Sequence, residues 1–186
     1  LSSVLANARL TADSNFSPVL NSKSIWILDR PNPAGRAVEG FRLEAGWESF
    51  VGCVPIPMRY GLTLGELARY IVKNQNLDVD LTVADMEGYD PTVGPGYGWD
   101  EEVLPWVNPS PNVPSLETTR CFSGSVLIEG THLSEGRGTT RPFELIGEPD
   151  LKMGEILENM KKMAPDWMEG CEVRPCFFEP TFQKHA

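Results

Sequence analysis

SIWILD, residues 24–29, is the stretch on which the fold turns. It is a short run of apolar residues ended by an acid. That is the pattern of a buried parallel strand whose carboxyl end opens on a ligand crevice. Downstream, residues 63–66 read Thr-Leu-Gly-Glu, a capping box, and Leu67, Ile71 and Val72 follow on one helical face. Gly65 is a mild defect inside that helix. Residues 79–84 (VDLTVA) then alternate as a strand does. Strand, helix and strand in this order predict an α/β protein.

Away from this unit the chain is less regular. Residues 1–14 place Val4, Leu5, Ala8 and Leu10 near helical spacing. Residues 30–50 read as loop, broken by Pro31, Pro33, Gly35, Gly40 and Gly46. Residues 85–114 are rich in Gly and Pro, with Tyr89, Tyr97, Trp99 and Trp106 interleaved; so long a connection suggests a functional loop. A short capped helix is expected at 115–120, a second buried strand at 124–129 and a last strand at 171–178, where Pro175 suggests an edge. Ile156, Leu157, Met160 and Met163 predict a helix over 153–163, with the methionines read as core packing.

Composition bounds the function. The chain has 186 residues, 41% of them hydrophobic, enough for a real core. Its net charge of −10 argues against nucleic acid and against docking on an anionic membrane, both of which need clustered Lys and Arg. No run approaches the roughly 18 apolar residues of a membrane span. The four cysteines, Cys53, Cys121, Cys171 and Cys176, lack metal-site spacing and read as buried free thiols, with a disulfide between two of them as the alternative. No metal or other cofactor is expected. A Ser-His-Asp or Cys-His arrangement has little to draw on, since the histidines are His132 and His185 alone.

The candidate site is the loop 129–143, EGTHLSEGRGTTRPF. Arg137 carries a planar fork of donors suited to a carboxylate or phosphate. Glu129, Glu135 and Thr139 add acceptors and a hydroxyl, and the glycines allow close backbone approach. The plainer reading is an acid paired with Arg137 in a tight turn. A nucleotide cradle is weak, because neither GxxxxGK[ST] nor GxGxxG occurs. Asp29, Arg30 and Asn32 form a second polar cluster, for which an Asp–Arg pair in a proline-stiffened turn is the plainer reading. Asn112, in the rigid loop 109–114, could offer its amide to a hydroxyl, or could simply form a turn. Trp99 and Trp106 could stack on a sugar.

Several phrases together carry a resemblance: LDRPNP (28–33), VEG (38–40), SFVGCVPIPMRYGLTLGELA (49–68), LPWVNPSPNVP (104–114), EGTHLSEGRGTTRPFELIGEP (129–149) and the tail FFEPTFQKHA (177–186). In this order they resemble the NamZ-type exo-β-N-acetylmuramidases, bacterial glycoside hydrolases of peptidoglycan recycling long catalogued as a domain of unknown function. The resemblance implies the end of a Rossmann-like catalytic domain over 1–78 and part of a smaller α/β domain over 79–186. It further implies release of terminal N-acetylmuramic acid from peptidoglycan fragments, by an extracytoplasmic protein, periplasmic or secreted. Arg137 then becomes a partner for the sugar's lactyl carboxylate, and Glu129, Glu135 and Asn112 contacts for its hydroxyls and amide.

The chain departs from the family pattern in three places. The family's Glu-His-Gly motif, which carries its catalytic glutamate, does not occur in these residues. Tyr60 stands where family members usually have His, and residues 89–99 lack a Trp-Lys-Arg pattern. These departures suggest a chain that forms the binding wall of a cleft, with the catalytic residue upstream of it. The alternative is a non-catalytic glycan-binding protein with the same loop, for which Tyr60 is the best support.

Overall fold

The computed structural model describes residues 24–49, 52–92, 98–170 and 172–186. The expected helix in residues 1–14 lies outside the described residues. The chain divides into two compact units, Leu1–Trp106 and Val107–Ala186.

The first unit has the expected strand–helix–strand frame. Strands β1 (Ser24–Leu28) and β4 (Asp80–Ala84) pair in parallel, from Ser24 opposite Asp80 to Leu28 opposite Ala84. Between them the chain makes a short antiparallel pair, β2 (Glu39–Arg42) with β3 (Pro57–Arg59), and then helix α1 (Leu64–Asn74). The β2–β3 pair interrupts what reads as loop in the sequence. Its register is anchored by Arg59, which donates to the Glu39 carboxylate at 2.6 Å and to the Ala34 carbonyl at 2.7 Å.

Helix α1 begins where its sequence says it should. The Thr63 hydroxyl accepts from the Glu66 amide at 3.1 Å, and the Glu66 carboxylate accepts from the Thr63 amide at 2.9 Å. Leu67, Ala68 and Ile71 point inward and meet Ile27, Cys53 and Val54. Ile25, Leu81 and Val83 join from the strands, so one face of the β1–β4 pair is covered by α1. Burying Ile27, Leu67 and Ile71 contributes roughly 1.5–3 kcal/mol each. The other face differs from expectation: Trp26 and Leu28 are 68% and 71% exposed, so β1 is buried on one side only. Only two strands form this sheet among the described residues.

Gly65 is needed where it stands. A Cβ there would lie 2.5 Å from Val83 Cγ1 and 2.7 Å from Asp29 Oδ2. Its absence lets the first turn of α1 press onto the ends of both strands. β4 pairs with β1, and both lie in the compact unit that runs to Trp106.

The second unit holds α2 (Leu116–Ser125), capped by Ser115, then a 3₁₀ helix over Val126–Gly130, α3 (Met153–Met163) and a 3₁₀ turn over Pro165–Met168. Two expected strands are absent. Residues 126–130 wind on from α2 as a 3₁₀ helix, and residues 172–178 run without strand pairing. A short apolar run is consistent with either buried strand or helix, and here the helical continuation prevails. The methionines of α3 are not core: none of its residues is buried, and Met163 is 85% exposed. Cys53 is buried in the first unit, but Cys121 and Cys176 are exposed, against the expectation of buried thiols. Among the described residues no helix is long and apolar enough to cross a membrane.

Candidate functional site

In the first unit a cavity of about 670 Å³ opens at the carboxyl ends of β1 and β4, where parallel sheets place ligands. Asp29, Arg30, Asp85, Glu87, Tyr89 and Asp100 are among its lining residues. Asp29 ends β1, but its carboxylate is fully engaged. Oδ2 accepts from the Thr63 hydroxyl at 2.6 Å, and Oδ1 accepts from the amides of Gly65 at 2.8 Å and Arg30 at 3.0 Å. An anion bonded to the first amides of a helix is favoured by the helix dipole as well. The expected Asp29–Arg30 ion pair does not form; the Arg30 side chain is left exposed on the cavity wall.

Asn32 supports this wall. Asn32 is buried; its amide donates to the Leu62 carbonyl at 2.8 Å and its oxygen accepts from the Ala34 amide at 2.9 Å. Both ends of the side chain thus lock the loop after β1 onto the segment before α1. Tyr60 packs against the core, and burial raises its phenol above the ordinary value. Trp99 and Trp106 meet edge to face at 5.6 Å, and Trp99 donates to the Leu104 carbonyl at 2.8 Å, so these rings pack on each other. Residues missed in the sequence line the same cavity. Asp85 follows β4 as Asp29 follows β1, the same signal of an acid ending a strand, and it pairs with Arg69 at 2.8 Å. The Tyr89 hydroxyl is enclosed beside the Arg36 guanidinium, which pairs with Glu66.

In the second unit the loop 129–143 gathers four of the expected residues. Glu135 is 2% exposed, and its Oε1 lies 3.2 Å from Arg137 Nε. Glu129 Oε1 accepts from the same Nε at 3.1 Å and from Arg137 Nη2. The guanidinium lies 4.8 Å over the Phe143 ring, which in turn meets Phe122 edge to face at 4.8 Å. Phe143 is fully buried with a φ of 66°, a left-handed conformation costly for a bulky residue. Its amide donates to the Glu135 carbonyl at 2.6 Å, which holds the ring beneath Arg137.

Thr139 serves the turn: its hydroxyl donates to the Gly136 carbonyl at 2.6 Å and accepts from the Arg141 amide at 3.1 Å. Asn112 lies in a turn, its backbone N–H donating to Ser110 Oγ at 3.3 Å. Lys184, which nothing in the loop's own sequence announces, closes the cluster with its ammonium 2.9 Å from Glu135 Oε2.

Two acids and two cations balance, so the cluster carries no net charge. The plainer reading of the loop, an acid paired with Arg137, is therefore present in the geometry. It does not exhaust the guanidinium. The Nε–Nη2 edge faces Glu129 and Glu135, whereas among the described residues nothing is bonded to Nη1. The Nη1–Nη2 end is a fork that matches a carboxylate bidentately. Arg137 is thus held along its Nε–Nη2 edge.

The chain matches known proteins along nearly its whole length. The family model described as exo-beta-N-acetylmuramidase NamZ, N-terminal, covers residues 17–117, and its C-terminal counterpart covers 120–186. The peptidoglycan beta-N-acetylmuramidase NamZ of Bacillus subtilis (strain 168) is 44% identical over 166 residues, which is 89% of this chain and 38% of that protein. A DUF1343 family protein of Bacteroides fragilis NCTC 9343 superposes with a TM-score of 0.72 at 30% identity, over 89% of this chain and 42% of that one. A second from the same organism gives 0.61 at 36% identity, over 72% of this chain and 38% of that one. The chain therefore spans about two fifths of the length of the proteins it resembles. With both family regions matched in order, the chain belongs to the exo-beta-N-acetylmuramidase NamZ family.

Proposed function

We propose that the full-length protein is an exo-acting glycoside hydrolase that releases terminal N-acetylmuramic acid from peptidoglycan fragments, and that this chain binds the sugar. The observation that carries the reading is the 44% identity to a protein described as a peptidoglycan beta-N-acetylmuramidase. The geometry supplies a recognition element suited to that substrate. N-acetylmuramic acid carries a lactyl carboxylate, and the outward end of Arg137 offers two parallel donors for one. Glu129, about 40% exposed on its side chain, is available to a sugar hydroxyl beside it. Asn112 offers its amide to the N-acetyl group or a ring hydroxyl. Arg30, exposed on the cavity at the carboxyl ends of β1 and β4, is a separate polar candidate within the first unit. Asp29, Asn32, Tyr60, Glu135 and Thr139 act indirectly, by holding backbone and neighbouring side chains in place.

Hydrolysis breaks the bond between the anomeric carbon and the leaving oxygen. A water-derived hydroxyl goes to the carbon and a proton to the leaving group. The residues given roles here bind and orient; none of them is assigned the acid or the base of that step. On this reading the protein works outside the cytoplasm, periplasmic or secreted, where peptidoglycan is accessible. Recovery of the mature protein only with cytoplasmic markers would count against that compartment. Nothing in the comparisons favours a non-catalytic glycan-binding protein.

The test is a chromogenic β-glycoside of N-acetylmuramic acid given to the full-length protein. Release of the chromophore is expected, and a folded full-length protein that releases none contradicts the reading. Arg137→Ala should raise KM roughly 10- to 100-fold, the loss expected on removing a charged hydrogen-bonded pair. An unchanged kcat/KM removes Arg137 from the site.

A further inference from the structure

The segment after Pro180 closes back on the loop at three places. The Thr181 amide and hydroxyl both donate to the Gly138 carbonyl, at 3.0 and 2.9 Å. Gly138 has a φ of 82°, and a Cβ there would meet Thr181 N at 2.8 Å and Phe182 N at 2.7 Å, so a side chain at this position would push the segment away. A His185 ring nitrogen lies 2.8 Å from the His132 carbonyl. Between these contacts sits Lys184, partly buried.

The Lys184 ammonium is surrounded by four acceptors: the carbonyls of Ile128 at 3.2 Å, Glu129 at 3.1 Å and Leu133 at 2.9 Å, and Glu135 Oε2 at 2.9 Å. An ammonium has three protons, so it is saturated and has none to spare for a ligand. Two of its carbonyls lie in the 3₁₀ helix Val126–Gly130, near the carboxyl end, where a cation is favoured; Ile128 O also accepts from the Thr131 amide and hydroxyl. Lys184 therefore grips the main chain of Glu129 and the side chain of Glu135 at once. Those two acids are the ones that hold the Nε–Nη2 edge of Arg137. Engaging Oε2 leaves Glu135 Oε1 turned to Arg137, and fixing the Glu129 backbone sets the point from which its side chain reaches across.

We propose that Lys184 is a positioning residue for recognition of the acidic sugar: it acts through Glu129 and Glu135 to aim the outward end of Arg137 at the ligand carboxylate. The proposal rests on the reading of Arg137 given above. It implies that Lys184 matters to a sugar with a carboxylate and not to the same ring without one. Removing the ammonium leaves Glu135 with one cation in place of two, and Arg137 follows whichever acid moves. Anything Lys184 contributes to ligand affinity then passes through Arg137.

The experiment titrates the full-length protein with N-acetylmuramic acid and, separately, with N-acetylglucosamine, which lacks the lactyl carboxylate. The variants are Lys184→Met, Arg137→Ala and the double substitution. Lys184→Met should weaken N-acetylmuramic acid binding about tenfold and leave N-acetylglucosamine within about twofold, and it should add little once Arg137 is gone, as coupled neighbours do. Equal weakening of both sugars by Lys184→Met would show a merely structural clamp and overturn the proposal. Weakening by Arg137→Ala with none by Lys184→Met overturns the role of Lys184 while leaving that of Arg137. No change with Arg137→Ala overturns both. A thermal melt by circular dichroism checks each variant for folding. Should Lys184→Met not fold, Lys184→Gln, which keeps two donors and drops the charge, is titrated in its place with the same expectation.

Discussion

Asp29 stands at the end of a strand and lines a cavity, yet every bond to its side chain comes from the protein itself. The Thr63 hydroxyl and the Gly65 and Arg30 amides surround it. Asp29→Asn should thus lower stability by about 1–3 kcal/mol, the cost of disturbing a charged, part-buried hydrogen-bonded group. A urea unfolding curve measures it, and a midpoint equal to wild type contradicts the assignment. Gly65→Ala should cost a similar amount, about 1–3 kcal/mol, because the new methyl meets Val83 and Asp29 well inside contact distance. The sequence marked Asp29 as a site residue and Gly65 as a defect; the packing shows that each is there for the other. Their relation spans 36 residues, which no local pattern reveals.

Tyr60 gives a prediction in pH. Burial raises its phenol above the ordinary value of 10.0. A group whose folded pKa is raised keeps its stabilising contribution below the unfolded pKa and loses it as pH climbs towards the folded one. Stability should therefore be insensitive to Tyr60 near neutrality and fall above about pH 10, where the unfolded phenol ionises first. In Tyr60→Phe that alkaline fall should shrink, read from melting temperatures between pH 8 and 11. An identical alkaline profile in the two proteins contradicts a buried, neutral phenol.

Among elements, α1 was the most legible, because capping box and apolar face agree. Thr63 is 1% exposed and bonds both Glu66 and Asp29. Thr63→Ala should cost about 1–2 kcal/mol, towards the upper range for a lost cap, whereas Thr63→Ser keeps the hydroxyl and most of the stability. Equal denaturation midpoints for the two variants would mean that the hydroxyl is not what holds the helix start. Strands β1 and β4 were legible for the same reason of agreement between pattern and length. The run VLIE in residues 126–129 was not, since its apolar character does not separate a strand from a tight helical turn. What decides it lies elsewhere: α2 runs directly into it, and Lys184 closes its carbonyl end from 55 residues away. Helix α3 was legible as a helix but not as an exposed one, because spacing gives an apolar face without saying what covers it.

At the scale of the molecule, the division at residue 78 was only what the family resemblance implied, while pairing of β4 with β1 is a long-range contact within the compact unit that runs to Trp106. The loop 129–143 was recognised as the centre of interest from its own residues, and the structure draws Glu129, Glu135 and Arg137 together there. Its support from Phe122 and Lys184 depends on α2 and on the returning tail, so it could not be read locally. On the proposed function, the loop's ligand is a sugar with a carboxylate, which Arg137 would meet with its Nη1–Nη2 end. The central claim of the proposed function is that the full-length protein removes N-acetylmuramic acid from a chain end. Its most direct test gives the full-length protein peptidoglycan fragments ending in either N-acetylmuramic acid or N-acetylglucosamine at the non-reducing end, with products identified by mass spectrometry. Free N-acetylmuramic acid released from the first set, with the second left intact, is the predicted result. Internal cleavage of both sets, or release from neither, would contradict it.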